Sequence, residues 1–417
     1  MRVFWNRVTL TYPIREALKA SSETMSVETE NQPGRSVDSA YQAARVVAST
    51  VAEHFARQLA SALERGEDEL ASPPDTLTIE AMVDAAFWAS LRHEEGNSPK
   101  ISLAFLPPEQ TVQPIIFEQP LPLTPRTLTK LAPAVERPGI HLGIWFDGDE
   151  LRIWGATRKV PSFCFVLEVI EPGLLVVKHR RLDGLGKFAN VAVLKGRRVK
   201  IIDEKGTSLP DCPALLAALL AFTSPLELSN GRNSVNLLVQ LAASMRAHGH
   251  GGSLLVVPTG SDAWRESIIH PIQYAIAPAY TGLVHLLEQE VTEENQNLWE
   301  ASVRKSVDTV AGLTAVDGAT VINDRYEALA FGVKIRRAGG SAPVEQMVIT
   351  EPIVGDVAEV VHPAYNGGTR HLSAAQFVYD QRDALALVAS QDGRFTIFAW
   401  SPCEDMVHAH RVDALLL

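Results

Sequence analysis

The feature that most constrains this chain is a change of hydrophobic period partway along it. Between residues 142 and 202, short apolar runs are broken repeatedly by Gly, Pro and Asp. From Asn233 onward, helical spacings alternate with single apolar strands. One pattern builds sheet from local turns and the other builds a helix-flanked sheet. At 417 residues the chain also exceeds what one hydrophobic core usually serves. Two domains are therefore expected, an accessory domain over residues 37–224 and a second over 225–417. A flexible arm over 1–36 precedes them, because residues 21–36 are polar, aperiodic and contain Pro33-Gly34.

In the first domain, Ala44, Val47, Val51, Phe55, Leu59 and Ala62 recur at helical spacing, and a second helix is expected over 79–91. Residues 107–138 are rich in proline, which argues for a connecting region without long regular elements. Asp147-Gly148-Asp149 reads as a hairpin turn between two short strands. Further strands at 163–170, 174–179, 189–194 and 199–202 complete an expected antiparallel meander. An apolar helix over 213–222 closes the domain; it is about half the length a membrane span requires.

In the second domain, Val235, Leu238, Ala242 and Met245 share a helical face before the strand 253–257. A helix with Trp299, Val303, Val307 and Val310 aligned leads to strands at 320–322 and 326–335. A helix from about Ser373 and a hairpin of 384–390 with 395–400, turning at Asp392-Gly393, follow. His248/His250 and His408/His410 read as loop or surface pairs.

Two segments carry chemistry. In Val316-Asp317-Gly318-Ala319 a carboxylate and a glycine precede an apolar strand, a placement that suits a divalent metal or a proton acceptor beside a close backbone approach. The plain alternative is an Asp-Gly turn. In Gly367-Gly368-Thr369-Arg370-His371-Leu372-Ser373, glycines, a hydroxyl and an arginine at a helix start suit phosphate oxygens. The alternative there is a Gly-Gly loop with Ser373 as N-cap.

In this order, and with Ser390-Gln391 at the end of a later strand, these segments resemble the catalytic domain of the diadenylate cyclases over roughly residues 233–400. Residues 252–257 (GSLLVV) are similar to the family's opening strand. The resemblance implies an α/β (α+β) fold with a mixed central sheet flanked by helices, behind an α+β accessory domain. It implies condensation of two ATP molecules into cyclic di-AMP with Mg²⁺ or Mn²⁺ as cofactor. Asp317 would be the metal ligand, with Asp317, Arg370 and His371 catalytic, and Val316, Gly318, Ala319, Gly368, Thr369, Ser390 and Gln391 binding nucleotide. One such domain per chain implies a homodimer or higher homo-oligomer. The accessory region is similar in arrangement to the DACNV-like sensor domains fused ahead of such cyclases, with a ligand the residues do not name.

Leu372 stands where the family has a second arginine, with Arg336, Arg337 and Arg394 as candidate replacements. This departure motivates the alternative of a degenerate nucleotide-binding sensor or interaction protein. The segment 335–367 is longer than the family pattern implies, as an insertion or lid would be. A net charge of −11 disfavours nucleic acid and anionic membrane as partners. Cys164, Cys212 and Cys403 show no paired spacing, and no signal peptide is evident, so a cytoplasmic location is expected.

Overall fold

The change of hydrophobic period corresponds to two large mixed sheets in the computed structural model, which describes residues 39–67, 70–181, 188–203, 232–289, 295–365 and 367–417. The first sheet is preceded by α1 (Gln42–Glu64) and α2 (Thr76–Ser90). In α1, Ala44, Val47, Ala48, Val51 and Phe55 form the buried stripe that the spacing predicts. Asp75 caps α2 by accepting a hydrogen bond from the Thr78 amide at 2.7 Å, satisfying one of the free donors of the first turn.

The first sheet contains β1 (Ile101–Phe105), β2 (Ile115–Pro122), β3 (His141–Asp147), β4 (Glu150–Thr157), β5 (Phe165–Glu171), β6 (Leu174–Arg180), β7 (Phe188–Lys195) and β8 (Arg198–Ile201). Their order is β2-β4-β3-β1-β5-β6-β7-β8. The expected meander is present from β5 to β8, but the sheet is mixed because β1 inserts parallel to β3. All five residues of β1 are buried, so it lacks the alternation that marks a half-exposed strand. The proline-rich stretch is more regular than its composition predicts, forming β2 and the helix α3 (Pro125–Val135). Several of its prolines occupy tolerant places, although Pro133 lies inside α3. Pro120 and Pro122 lie in a strand that, among the described residues, pairs only with β4, and Pro125 opens α3 where an amide donor would be unused.

The second sheet contains β9 (Gly252–Val257), β10 (Tyr274–Tyr280), β11 (Ala319–Asn323), β12 (Ala328–Val333), β13 (Met347–Thr350), β14 (Glu359–Val361), β15 (Leu385–Ala389), β16 (Phe395–Ser401) and β17 (Met406–Arg411). Their order is β10-β12-β11-β9-β15-β16-β17-β13-β14. The helices α4 (Arg232–Ala247) and α6 (Gln296–Leu313) pack with Leu254, Val256 and Ile322 on one face. The helix α7 (Thr369–Asp380) packs with Leu255, Val257 and Val321 on the other. The alternation along β9 and β11 therefore serves two cores at once. A short helix, α5 (Gly282–Leu287), precedes α6.

The segment 335–367 supplies β13 and β14 to the sheet edge. His408 and His410 are not surface residues; both are buried on β17, with ring centroids 5.7 Å apart. The His410 Nδ1 lies 2.8 Å from the Thr350 hydroxyl. The apolar stretch 213–222 lies outside the described residues. Among the described residues no helix is long and apolar enough to cross a membrane.

The two sheets are joined directly. Ile202 bridges Ile353, the Val354 amide donates to Ile201 O at 2.9 Å and the Asp203 amide to Pro352 O at 3.0 Å. Asn190, buried on β7, donates to Ala414 O at 2.9 Å. One apolar cluster runs from Val177, Val191 and Val193 through to Leu241, Val412 and Ala414.

Candidate functional site

Strand direction gathers the motifs. Because β9 and β11 are parallel, with Ser253 opposite Ala319, their N-terminal ends lie together. Because β15 is antiparallel to β9, with Ala389 opposite Gly252, its C-terminal end reaches the same edge. Residues 250–252, 317–319 and 389–391 thus meet at one end of three adjacent strands. The first turn of α7 closes over them. Gly368, Thr369, Arg370 and His371 line a cavity of about 90 Å³ with Val388, Ala389 and Ser390.

The helix begins four residues before the position the spacing predicts. Gly368 is its N-cap, so Thr369, Arg370 and His371 form its first turn and Ser373 is not the cap. That places free backbone amides beside the Arg370 guanidinium. Leu372 is 38% exposed, so its side chain does not fill the core in place of an arginine.

Asp317 is almost fully exposed and accepts an ion pair from Lys334 Nζ at 2.6 Å. The Lys334 hydrogen bond and charge hold its carboxyl below the usual carboxylate range, and Arg370 lowers it further. Lys334 was not among the residues the motifs predict. Its only sequence signal is a cation directly after the apolar run 328–333, which becomes meaningful once β12 pairs Val333 with Ala319. Val316 is 36% exposed. The reason for glycine at 318 is also visible: φ is +125°, and a Cβ there would meet Gly332 C at 2.5 Å and Val333 O at 2.8 Å. The close approach is made by the backbone of β12.

Gly251 shows a second close approach, with φ +69° and a hypothetical Cβ 3.2 Å from Arg370 Nη1, Ala389 O and Gln391 Cγ. Arg370 and Gln391 therefore face one another over this turn, and Gln391 Nε2 donates to His250 O at 3.3 Å. Ser390 follows β15 and opens a turn: its N–H donates to Arg394 O at 2.8 Å, and its side chain hydrogen bonds Asp392.

His371 is buried, 3.3 Å from the Thr396 hydroxyl through Nε2 and edge-on to Phe398. Burial pushes its pKa down, opposed by the Asp392 charge and reinforced by Arg394, Arg411 and Arg370. The contact with Thr396 holds His371, and with it the first turn of α7, against β16. Of the three candidate replacement arginines, Arg394 belongs to this neighbourhood, whereas Arg336 donates through Nε to Glu266 O.

The fold and this edge define a two-sheet α+β protein with an exposed carboxylate facing a helix N-terminus that carries an arginine. A family model described as a probable sensor domain, DACNV, matches residues 68–158, from the approach to α2 through β4. It is a sensor domain found with diadenylate cyclases. The model of the diadenylate cyclase catalytic domain does not match, and no curated protein matches the chain.

Proposed function

We propose that the chain is a diadenylate cyclase, joining two ATP molecules into cyclic di-AMP with release of two pyrophosphates, under the control of its sensor region. The observation that carries this reading is the convergence of Asp317, residues 368–371 and residues 390–391 at one end of β11, β9 and β15, in a chain whose residues 68–158 match a sensor domain found with such enzymes.

In each transfer a ribose 3′-oxygen forms a bond to the α-phosphorus of the other ATP while the bond to the departing pyrophosphate breaks. Arg370 and the amides of the first turn of α7 hold phosphate oxygens, as an N-terminal helix dipole and a forked guanidinium favour. His371 positions that turn through Thr396. Asp317 supplies an exposed carboxylate at the same end of the strands, within the electrostatic reach of Arg370. Among the described residues no cluster of three or more His, Cys, Asp or Glu side chains forms a metal site. A single exposed carboxylate fits an Mg²⁺ or Mn²⁺ ion that takes its remaining ligands from the triphosphate. Such an ion would supply charge neutralisation at the transferring phosphate. Each chain holds one such site, so two chains must face each other and the active species is a homodimer or larger homo-oligomer.

The exposed Leu372 favours a second reading, a nucleotide-binding sensor without turnover, because leucine cannot make the bidentate phosphate contact of an arginine. The test is incubation of the purified protein with ATP and Mg²⁺ or Mn²⁺, with mass detection of cyclic di-AMP. Product that vanishes in Asp317→Asn, while ATP still binds, is the expected result; Arg370→Ala weakens ATP binding itself. A turnover-competent Asp317→Asn protein refutes the role of Asp317. Binding of ATP without product in the wild type, followed by product in Leu372→Arg, establishes the second reading.

A further inference from the structure

A larger cavity, of about 560 Å³, opens where the two sheets meet. Its walls come from the β5–β6 turn, β7 and β8 on one side. The end of α4, the turn 390–394 and the end of β17 form the other. Six cationic side chains line it: Lys195, Arg198, Lys200, Arg246, Arg394 and Arg411. Four carboxylates share the wall, Glu171, Glu351, Asp392 and Asp413, and three of them are engaged. Lys200 pairs with Glu351 and stands 4.0 Å from Asp413, and Arg394 Nε stands 3.3 Å from Asp392. Arg246 donates to Gly393 O at 3.3 Å and Leu416 O at 3.2 Å.

Lys195 and Arg198 are different. They are register partners across β7 and β8, both exposed, and neither has an ion pair among the described residues. Like charges directly opposite on adjacent strands repel, and an anion bridging them removes that cost. The volume lies within the range of small-molecule sites. A ligand with several negative charges in a short span is the chemistry that matches.

The same cavity touches the candidate site from behind. Asp392, Gly393 and Arg394 face the junction, while Ser390, in the same turn and hydrogen-bonded to both Asp392 and Arg394, lines the α7 cavity. We propose that the junction cleft binds a phosphate-bearing small anion, and that its occupancy is relayed to the α7 site through the turn 390–394. The binding half stands alone; the relay's effect on turnover rests on the cyclase reading.

Calorimetric titration of the full chain with sodium tripolyphosphate, and separately with ATP, tests the binding half. Arg370→Ala should retain tripolyphosphate binding with unchanged affinity at the junction. The Lys195→Gln/Arg198→Gln protein, altered only at exposed positions, should lose at least tenfold in that affinity. Equal affinity in the wild type and the glutamine variant, or complete loss of binding in Arg370→Ala, overturns the site. Tighter binding of ATP than of tripolyphosphate would show that a nucleoside contributes, and equal binding that phosphate alone is read. For the relay, amide hydrogen exchange over 390–394 should slow when tripolyphosphate is added to Arg370→Ala; unchanged exchange with the ligand bound refutes it. Neither readout requires cyclic di-AMP to form, so failure of the cyclase reading leaves both intact.

Discussion

Replacing Gly318 by alanine separates two reasons for a glycine beside the exposed Asp317 carboxylate. If the residue is small so that a ligand can approach, Gly318→Ala costs binding and little stability. The geometry argues for the other reason. The added Cβ would lie 2.5 Å from Gly332 C, 2.7 Å from Gly332 O and 2.8 Å from Val333 O, all backbone atoms of the neighbouring strand. No rotamer change relieves such a contact, so β12 must shift from β11 or the turn must refold. Overpacking of this kind costs about 1–3 kcal/mol. An L-residue held at φ +125° adds roughly 1–3 kcal/mol. A combined loss of about 2–6 kcal/mol is expected, and at about 2 °C per kcal/mol for a large unit the melting midpoint falls by roughly 4–12 °C. Gly312→Ala is the matched control: it lies within α6, exposed, with nothing within 4 Å of the new Cβ. Alanine there should stabilise by about 0.5–1 kcal/mol. Differential scanning fluorimetry on both variants decides the matter, and a Gly318→Ala protein that melts with the wild type refutes the backbone argument.

Two further outcomes are expected. Burial lowers the pKa of both His141 and His410 to about 4, against about 6.5 in the unfolded chain. Between these values the unfolded state binds more protons, so stability falls as pH falls from about 6.5 towards 4, by on the order of 3 kcal/mol per histidine. Melting midpoints from pH 7.5 to 4.5 should show a steep acid limb that flattens in His141→Gln/His410→Gln, and an equally steep limb in that variant refutes the assignment. Lys334→Met should raise the titration midpoint of the Asp317 carboxyl towards the ordinary carboxylate range, read by ¹³C NMR; an unmoved midpoint refutes the ion pair.

Much of the second sheet was legible because its elements carry strong local signals. The apolar runs of β9 and β11, the turn at Asp392-Gly393 and the helical faces of α4 and α6 each agree with their tertiary surroundings. What escaped lacked such a signal. The strand β17 carries its histidines inward, paired with Thr350 and Glu404, where polar residues read as surface. Pro120 and Pro122 of β2 and Pro125 of α3 are tolerated because of an edge position and a first-turn position, facts of topology. For the site, the motifs were visible as residue types, but Lys334 was not. Its role depends on register between β11 and β12, and no spacing along the chain encodes which cation lands beside Asp317.

The bridge between β8 and residues 351–354 makes the two halves partners in a docking sense, beyond being neighbours on one chain. Fragments 39–203 and 232–417 made separately would each bare part of a shared apolar cluster and a row of unpaired backbone groups. Co-expressed, they should reassemble without a peptide link. The seam, and not the peptide link alone, holds the two halves together.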